Sequence, residues 1–347
     1  MDSEKQLIFD EDYQGLESEL KSMGQPSFRV QQIWKAVYQN FRITPDEITT
    51  LPKQLRIDLE KRFTFQALNP SRSIESADGF TVKTLFQLKD GNPVEAVLMY
   101  YDDRRTLCIS TQSGCGMGCS FCATGHMGLK RNLTSGEIVA QVLYFARILA
   151  GRNERVSNIV VMGMGEPFQN YDHLMTAMDR LNDERAFGLG ARRITISTVG
   201  LVPEIRKFAD EGTQINLAVS LHTVNDRLRS ELIPINKKYP VDVLINACKY
   251  YIQKTNRRIS FEIALIKDVN DSIEDAQALA SKLRGLLCHV NLIPLNPIGD
   301  YSGQPTNKEQ VNTYYNILTD KHIPCTVRLR RGIEIKAGCG QLASEIE

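Results

Sequence analysis

The chain predicts an α/β fold: a partial, TIM-like barrel of six βα units, with a small N-terminal helical accessory domain and a β-hairpin extension. Three observations predict it. Beyond Arg104, apolar β-rich runs alternate with helical ones; before about residue 65, apolar positions recur at a spacing of three to four; between these regions a single strand-turn-strand pattern stands alone. The corresponding segments are 1–70, 71–100 and 101–347.

In the first segment Val30, Ile33, Trp34 and Val37 mark one face of an amphipathic helix, and Thr49-Thr50-Leu51-Pro52 reads as a helix start. The hairpin is Thr81–Leu88, the turn Lys89-Asp-Gly-Asn-Pro93, and a strand from Val94. Six strands follow, at Thr106–Ser110, Ile159–Met162, Arg193–Ser197, Ile215–Ser220, Ile259–Leu265 and Val290–Leu295. Helices are expected near 135–150, 171–183, 201–211, 240–254 and 272–286, the first announced by the capping pattern Thr134-Ser-Gly-Glu137. A chain of 347 residues buries a sizeable core, and its formal net charge of +1 carries no nucleic-acid signal by itself. No segment is long and apolar enough to cross a membrane. The charged start, Met1-Asp-Ser-Glu-Lys-Gln6, lacks the apolar core of a secretory signal, which predicts a cytoplasmic protein whose eight cysteines are ligands, catalysts or core thiols.

Cys115, Cys119 and Cys122 stand in the glycine-rich run Ser113-Gly-Cys-Gly-Met-Gly-Cys-Ser-Phe-Cys-Ala-Thr-Gly125. Three thiolates hold three corners of a [4Fe–4S] cubane and leave one iron open. That open iron fits radical chemistry on S-adenosylmethionine, whose amino and carboxylate groups it chelates. Phe121 would shield a cluster face. A zinc site normally adds a fourth ligand at conventional spacing, and His126 lies beyond the triad in an irregular stretch. Three merely structural thiols are the other alternative.

Barrel enzymes place their chemistry at the C-terminal ends of their strands, and polar oddities of this sequence fall there. Met162-Gly-Met-Gly165-Glu166-Pro167 offers close backbone approach and a carboxylate for the ammonium of a bound amino acid. Ser197-Thr198, Ser220-Leu221-His222 and Asn296-Pro297 suit a ribose and a carboxylate. Each alone is also ordinary strand-end punctuation. Cys248, Cys288 and Cys325 read as buried apolar thiols. Cys339 differs: a glycine on each side predicts a mobile backbone and an accessible sulfur. Cys108 precedes the cysteine loop on the first barrel strand.

The chain resembles the Cfr/RlmN family of radical S-adenosylmethionine RNA methyltransferases. The resemblance rests on Cys115–Gly125, Arg131-Asn-Leu-Thr134, Met162–Pro167, Arg192–Thr198, Ser220–His222, Pro234-Ile-Asn236, Val269-Asn-Asp-Ser272, Asn291–Pro297 and Cys339-Gly-Gln-Leu342, spread over nearly the whole chain. Glu166-Pro167 and Ile293-Pro294 resemble the C2-methylating RlmN branch more than the C8-methylating Cfr branch, whose product on the same rRNA adenosine is the alternative. The resemblance implies methylation of an adenosine in the peptidyl-transferase centre of 23S rRNA, and of one in the tRNA anticodon loop. It also implies S-adenosylmethionine and [4Fe–4S] as cofactors, an electron donor such as flavodoxin or ferredoxin, and a monomer.

The implied mechanism starts from an electron-poor C2 that cannot attack a sulfonium methyl group. A first cofactor molecule methylates the thiol that maps to Cys339. After a second is cleaved by an electron from the cluster, hydrogen leaves the S-methyl group and its carbon adds to C2. Cys108 would then attack Cys339 and release product as a transient disulfide. The family's proton acceptor maps to Glu95, which alternatively is an exposed charge on a hairpin strand. Gly338 stands where alanine often precedes the methylated cysteine, and Leu129-Lys130 where an aromatic residue is frequent; the first predicts a looser Cys339 loop.

RNA contact is expected from basic clusters: Lys130-Arg131, Arg192-Arg193, Arg257-Arg258 and Arg328-Leu-Arg330-Arg331, with the N-terminal helical domain. Each is otherwise a solvated face. A radical enzyme with another substrate would leave Cys108 and Cys339 without a shared role. A non-catalytic zinc- or cluster-bound RNA module would leave the open ligand position unexplained.

Overall fold

The computed structural model describes residues 5–299, 301–328 and 330–343. The charged start over residues 1–4, and Leu329 within the basic cluster, lie outside these residues. Three N-terminal helices come first: α1 (Tyr13–Ser22), α2 (Phe28–Tyr38) and α3 (Lys53–Arg62). The periodic face of α2 is inside, with Val30, Ile33, Trp34 and Val37 all buried. Pro52 caps α3 from just outside it, its φ of −54° already helical in value.

Ten strands then form one sheet in chain order: β1 (Leu68–Glu75), β2 (Thr81–Leu88), β3 (Pro93–Tyr100), β4 (Arg105–Cys108), β5 (Asn158–Val161), β6 (Ile194–Thr198), β7 (Asn216–Ser220), β8 (Ile259–Leu265), β9 (Cys288–Pro294) and β10 (Cys325–Val327). Pairing is antiparallel from β1 to β4 and parallel from β4 to β10. The six expected barrel strands are β4 to β9. They do not close into a ring, because β3 occupies the free edge of β4, with Val97 opposite Cys108. The extension thus continues the barrel sheet.

Two strands were not legible in the sequence. β1 reads Leu-Asn-Pro-Ser-Arg-Ser-Ile-Glu, largely exposed, with an irregularity between Pro70 and Arg72; it is an edge strand without an apolar pattern, as Pro permits. β10 has three residues, two of them exposed.

The outer helices are α4 (Ser135–Ala150), α5 (Tyr171–Asn182), α6 (Val202–Asp210), α7 (Asp226–Leu232), α8 (Val241–Thr255), α9 (Ile273–Leu283) and α10 (Lys308–Asp320). Thr134 and Glu137 form the expected capping box on α4. The N-terminal helices are fastened to this layer by polar contacts. Arg180 of α5 lies 4.4 Å from the Trp34 ring centre and donates to Tyr38 Oη and Glu11 O, each at 2.7 Å. Asp10 accepts from the Gly136 N–H at 2.7 Å, where a Cβ on residue 136 would stand 2.8 Å from that same carboxylate. Among the described residues no helix is long and apolar enough to cross a membrane.

Candidate active site

The cysteine loop leaves and rejoins the body through a two-stranded ribbon, Gln112–Gly114 with Leu129–Asn132. Gly114 has φ +74°, and a Cβ there would lie 1.9 Å from Gly128 O, so only glycine closes the base of the loop. Cys115 and Cys119 are buried and Cys122 half-buried. Burial pushes the Cys115 thiol up to about 12 and Cys119 well above its ordinary value, and mutual repulsion adds to both. Backbone N–H groups of Met117 and Glu166 face Cys115, and those of Thr124 and Gly125 face Cys122. Thiols held neutral by burial, yet provided with N–H donors, suit a cationic cluster that deprotonates them and whose sulfurs accept hydrogen bonds. Among the described residues no three His, Cys, Asp or Glu side chains form a group for a single metal ion. A cubane makes a different demand, since each thiolate binds its own iron. His126 instead contacts Ser120 O at 2.9 Å.

Above the loop opens a cavity of about 970 Å³, lined by Cys119, Cys122 and the strand ends. Gly165, Glu166, Ser197, Ser220, His222 and Asn296 all face it. Leu221 does not: its side chain is fully buried, and its backbone carbonyl instead accepts from Arg229 Nε at 3.0 Å. Gly165 has φ +99° and no room for a Cβ, which would stand 2.6 Å from Gln112.

Glu166 is a held carboxylate. It accepts from Thr198 Oγ1 at 2.6 Å, Val199 N at 2.9 Å and Phe168 N at 3.1 Å. Burial nevertheless raises its pKa to about 7, those three hydrogen bonds opposing the rise. His222 sits at φ +61° and accepts the Ala264 N–H at Nδ1, 2.9 Å. Burial, with Arg229 adding to it, drives its pKa down to about 3. The ring is therefore neutral, its proton on Nε2, and Phe121 packs edge-on against it at 4.8 Å.

Sequence reasoning missed two supports of this cavity, Arg229 and Glu262, and the role of a third residue it had singled out, Thr198. Thr198 holds Glu166. Arg229, almost fully buried on α7, donates to the carbonyls of Leu221, Ser220 and Val199 and to Asn236 Oδ1, stapling the ends of β6 and β7. Glu262 faces the cavity from mid-β8; its Oε1 accepts from Asn291 at 2.7 Å and its Oε2 stands 3.6 Å from the Arg328 guanidinium. A charged residue in an apolar strand, Ser260-Phe-Glu-Ile263, was the available signal for Glu262; helix α7 was too short to announce Arg229.

A second cavity, of about 1120 Å³, adjoins the first and shares Met162, Asn296, Arg328 and Cys339 with it. Cys108 lines only this second lobe, Cys339 lines both, and Cys339 is exposed whereas Cys108 is buried. Desolvation pushes the Cys108 thiol up to about 12, with Cys339 adding to the rise. Cys339 is raised by desolvation too, against the pull of Arg328; the residue is open at the surface while its sulfur is surrounded by protein groups. All eight cysteines are free thiols, so no standing disulfide joins Cys108 to Cys339.

The expectation of a mobile Cys339 backbone is corrected. Cys339 O accepts from Asn296 Nδ2, Gly340 O from Ala123 N, and Leu342 O from Thr124 Oγ1, while Gln341 Nε2 donates to Pro297 O. Gly338 is present for close approach, since a Cβ would lie 2.6 Å from Asn296 Nδ2, and Gly340 for its φ of +83°. The loop is also strapped to the extension: Ala77 N donates to Glu334, and Lys83 Nζ to Lys336 O.

Glu95 is not an exposed charge. It is buried on β3, pairs with Lys83 Nζ at 2.9 Å and accepts the Ala343 N–H at 3.0 Å. It lines a third cavity, of about 790 Å³, on the extension side of the Cys339 loop rather than either lobe.

The basic clusters sort sharply. Arg131 is tied to Glu137 at 2.7 Å and to Asp90; Arg257 is tied to Gln214 and Asn216; Arg192 reaches Gln214 and Arg193 the Ser157 carbonyl. Arg328, Arg330 and Arg331 line the second lobe with Arg104, and among the described residues no carboxylate lines it.

Comparison with known proteins agrees with this geometry. Residues 109–280 match the family described as the radical SAM superfamily. The chain is 49% identical to the probable dual-specificity RNA methyltransferase RlmN of Chloroflexus aurantiacus, over 98% of this chain and 93% of that protein. It is 47% identical to the dual-specificity RNA methyltransferase RlmN 1 of Myxococcus xanthus, over 94% of this chain and 91% of that one. A crystal structure of a radical SAM methyltransferase from Sphaerobacter thermophilus superposes with a TM-score of 0.96 at 49% identity, covering 98% of this chain and 100% of that chain. Fold and cysteine loop together define a radical SAM enzyme. Within that class, the chain belongs to the RlmN family of methyltransferases.

Proposed function

We propose that this protein methylates C2 of an adenosine in RNA, in 23S rRNA and in the tRNA anticodon loop, by way of an S-methylcysteine at Cys339. The observation that carries this is the place of Cys339 in the wall shared by the two lobes. When bound, a [4Fe–4S] cluster on Cys115, Cys119 and Cys122 would supply the electron that cleaves S-adenosylmethionine, delivered by a flavodoxin- or ferredoxin-type donor. The residues at the strand ends bind and orient that cofactor: Glu166 keeps a lone pair of Oε2 for an ammonium, neutral His222 presents Nε2–H, and Ser197, Ser220 and Asn296 offer hydrogen bonds to hydroxyl and carboxylate groups.

Cys339 receives the first methyl group. Its thiol loses a proton, the sulfur pair forms the S–C bond, and the sulfonium S–C bond breaks toward the departing thioether. Arg328, 3.6 Å from Glu262, places a positive charge that favours the thiolate. Cys108, which lines the second lobe together with Cys339, then attacks the Cys339 sulfur of the RNA–Cys339 thioether, giving a transient disulfide as the S–C bond breaks toward the RNA methyl group. Glu95 must exchange its contact with Ala343 or Lys83 before it accepts the C2 proton.

The test is intact mass spectrometry of anaerobically purified protein incubated with methyl-labelled S-adenosylmethionine, wild type against Cys339→Ala. One labelled methyl on Cys339 is expected, with m2A rather than m8A in nucleosides from treated RNA. A cluster-loaded protein that cleaves the cofactor yet carries no methyl refutes the Cys339 route.

A further inference from the structure

Most arginines of the candidate RNA clusters are already engaged by protein partners. In the second lobe Arg328 is likewise paired, with Glu262, but three other arginines are different. Among the described residues, no hydrogen bond or ion pair reaches the guanidinium of Arg104, Arg330 or Arg331, and Arg331 Nε is buried without a partner. Among the described residues the neighbouring acids form no ion pair with them: Glu334 accepts from Ala77, and Asp78, held by Ser76 and Phe80, shares only a charge attraction with Arg331. Burying or crowding unpaired cations is unfavourable without an anion to share.

These guanidiniums are also stacked. Arg104 lies 4.3 Å and Arg331 4.7 Å from the Tyr101 ring centre, and Arg331 lies 5.2 Å from Phe80. Phe80 is 46% exposed, a large apolar ring left facing water beside a positively charged cavity. The loop that carries Arg331 is fixed there, since a Cβ on Gly332 would stand 2.8 Å from Thr81. Aromatic rings and guanidinium planes are the groups on which unpaired RNA bases stack, while arginines beside them take the phosphates. A protein ligand would not require both.

We propose that Phe80, Arg331, Tyr101 and Arg104 form a stacking column at the rim of the second lobe. It takes an unpaired nucleotide next to the target adenosine, with Arg330 and Arg104 on the adjoining phosphates. The proposal rests on RNA being the substrate, and it names the residues that hold the strand open after the target base has left its stack.

The probe is an RNA hairpin with 2-aminopurine beside the target adenosine, titrated with the full-length, cluster-loaded protein. Stacking quenches the fluorophore. Phe80→Ala, at an exposed position, is expected to remove the quenching and to raise Kd about tenfold, with Phe80→Tyr restoring both. Arg330→Glu is expected to raise Kd by a similar factor and to flatten its salt dependence, whereas Arg185→Ala, whose guanidinium is tied to Asp183, changes neither. Wild-type binding without quenching overturns the column, as do unchanged quenching and affinity in Phe80→Ala and Arg330→Glu. Wild-type protein that acquires a methyl on Cys339 but does not bind the hairpin at all rejects the RNA substrate, and the column with it.

Discussion

The two lobes that meet at Cys339 are built on opposite principles. In the cysteine-loop lobe the polar groups are largely satisfied by the protein: Glu166 has three donors, His222 accepts a backbone N–H, and Arg229 holds the carbonyls of Val199, Ser220 and Leu221 at the ends of two neighbouring strands. In the other lobe, among the described residues, no hydrogen bond or ion pair reaches the guanidiniums of Arg104, Arg330 and Arg331. On the proposed function, the first arrangement orients a small cofactor and the second leaves charge for the phosphates of an RNA.

The comparison breaks most severely at the shared wall. Cys339→Ala is expected to abolish uptake of labelled methyl by the protein, and Cys119→Ala to abolish iron and labile sulfide content; methyl uptake at another residue would dissolve the idea of one thiol serving both lobes. Next in size, the two kinds of arginine should separate. Arg131→Ala removes the ion pairs to Glu137 and Asp90, whose carboxylates keep the N–H groups of Thr134 and Asn92, and should cost about 1 kcal/mol in denaturant unfolding with RNA affinity unaltered. Arg330→Glu should do the reverse.

A third expectation concerns acid. His222 has a folded pKa of about 3 against an ordinary value of 6.5, so the unfolded chain binds its proton first. Its stabilising contribution is complete above about 6.5 and is lost as pH falls through about 3. His222→Gln should therefore shallow the stability-versus-pH slope between those values, by about one proton in the linkage analysis. An unchanged slope would mean the ring is hydrated. The smallest effect is expected from Gly338→Ala. The new Cβ meets the ends of two flexible side chains, Asn296 and Gln341, which can shift, so stability should fall by less than about 1 kcal/mol in thermal melts.

The strongly periodic or capped elements were legible in the sequence. α4 runs over Ser135–Ala150 as its capping box and apolar face predict, and β8 spans Ile259–Leu265 as its apolar, β-rich run predicts. What escaped was short or polar: β1, β10, α7 and α10. The cysteine loop and most of the strand-end residues could be found because chemistry demanded unusual residues at strand ends. Leu221 misled because its value lies in a backbone carbonyl, invisible to side-chain reasoning. Glycines 338 and 340 suggested mobility, when the first packs closely against Asn296 and Gln341 and the second adopts a positive φ. The grouping of Arg104 with Arg330 and Arg331 joins residues more than two hundred positions apart, and only the fold brings them together.

The unpaired guanidiniums sit in a chain whose formal net charge is only +1. Beyond a Debye length of about 8 Å at physiological ionic strength, a passing RNA therefore meets an almost neutral body and is drawn in weakly. On the proposed function, attraction is then concentrated where Arg104, Arg330 and Arg331 gather, and the enzyme forgoes speed of encounter for selectivity at contact.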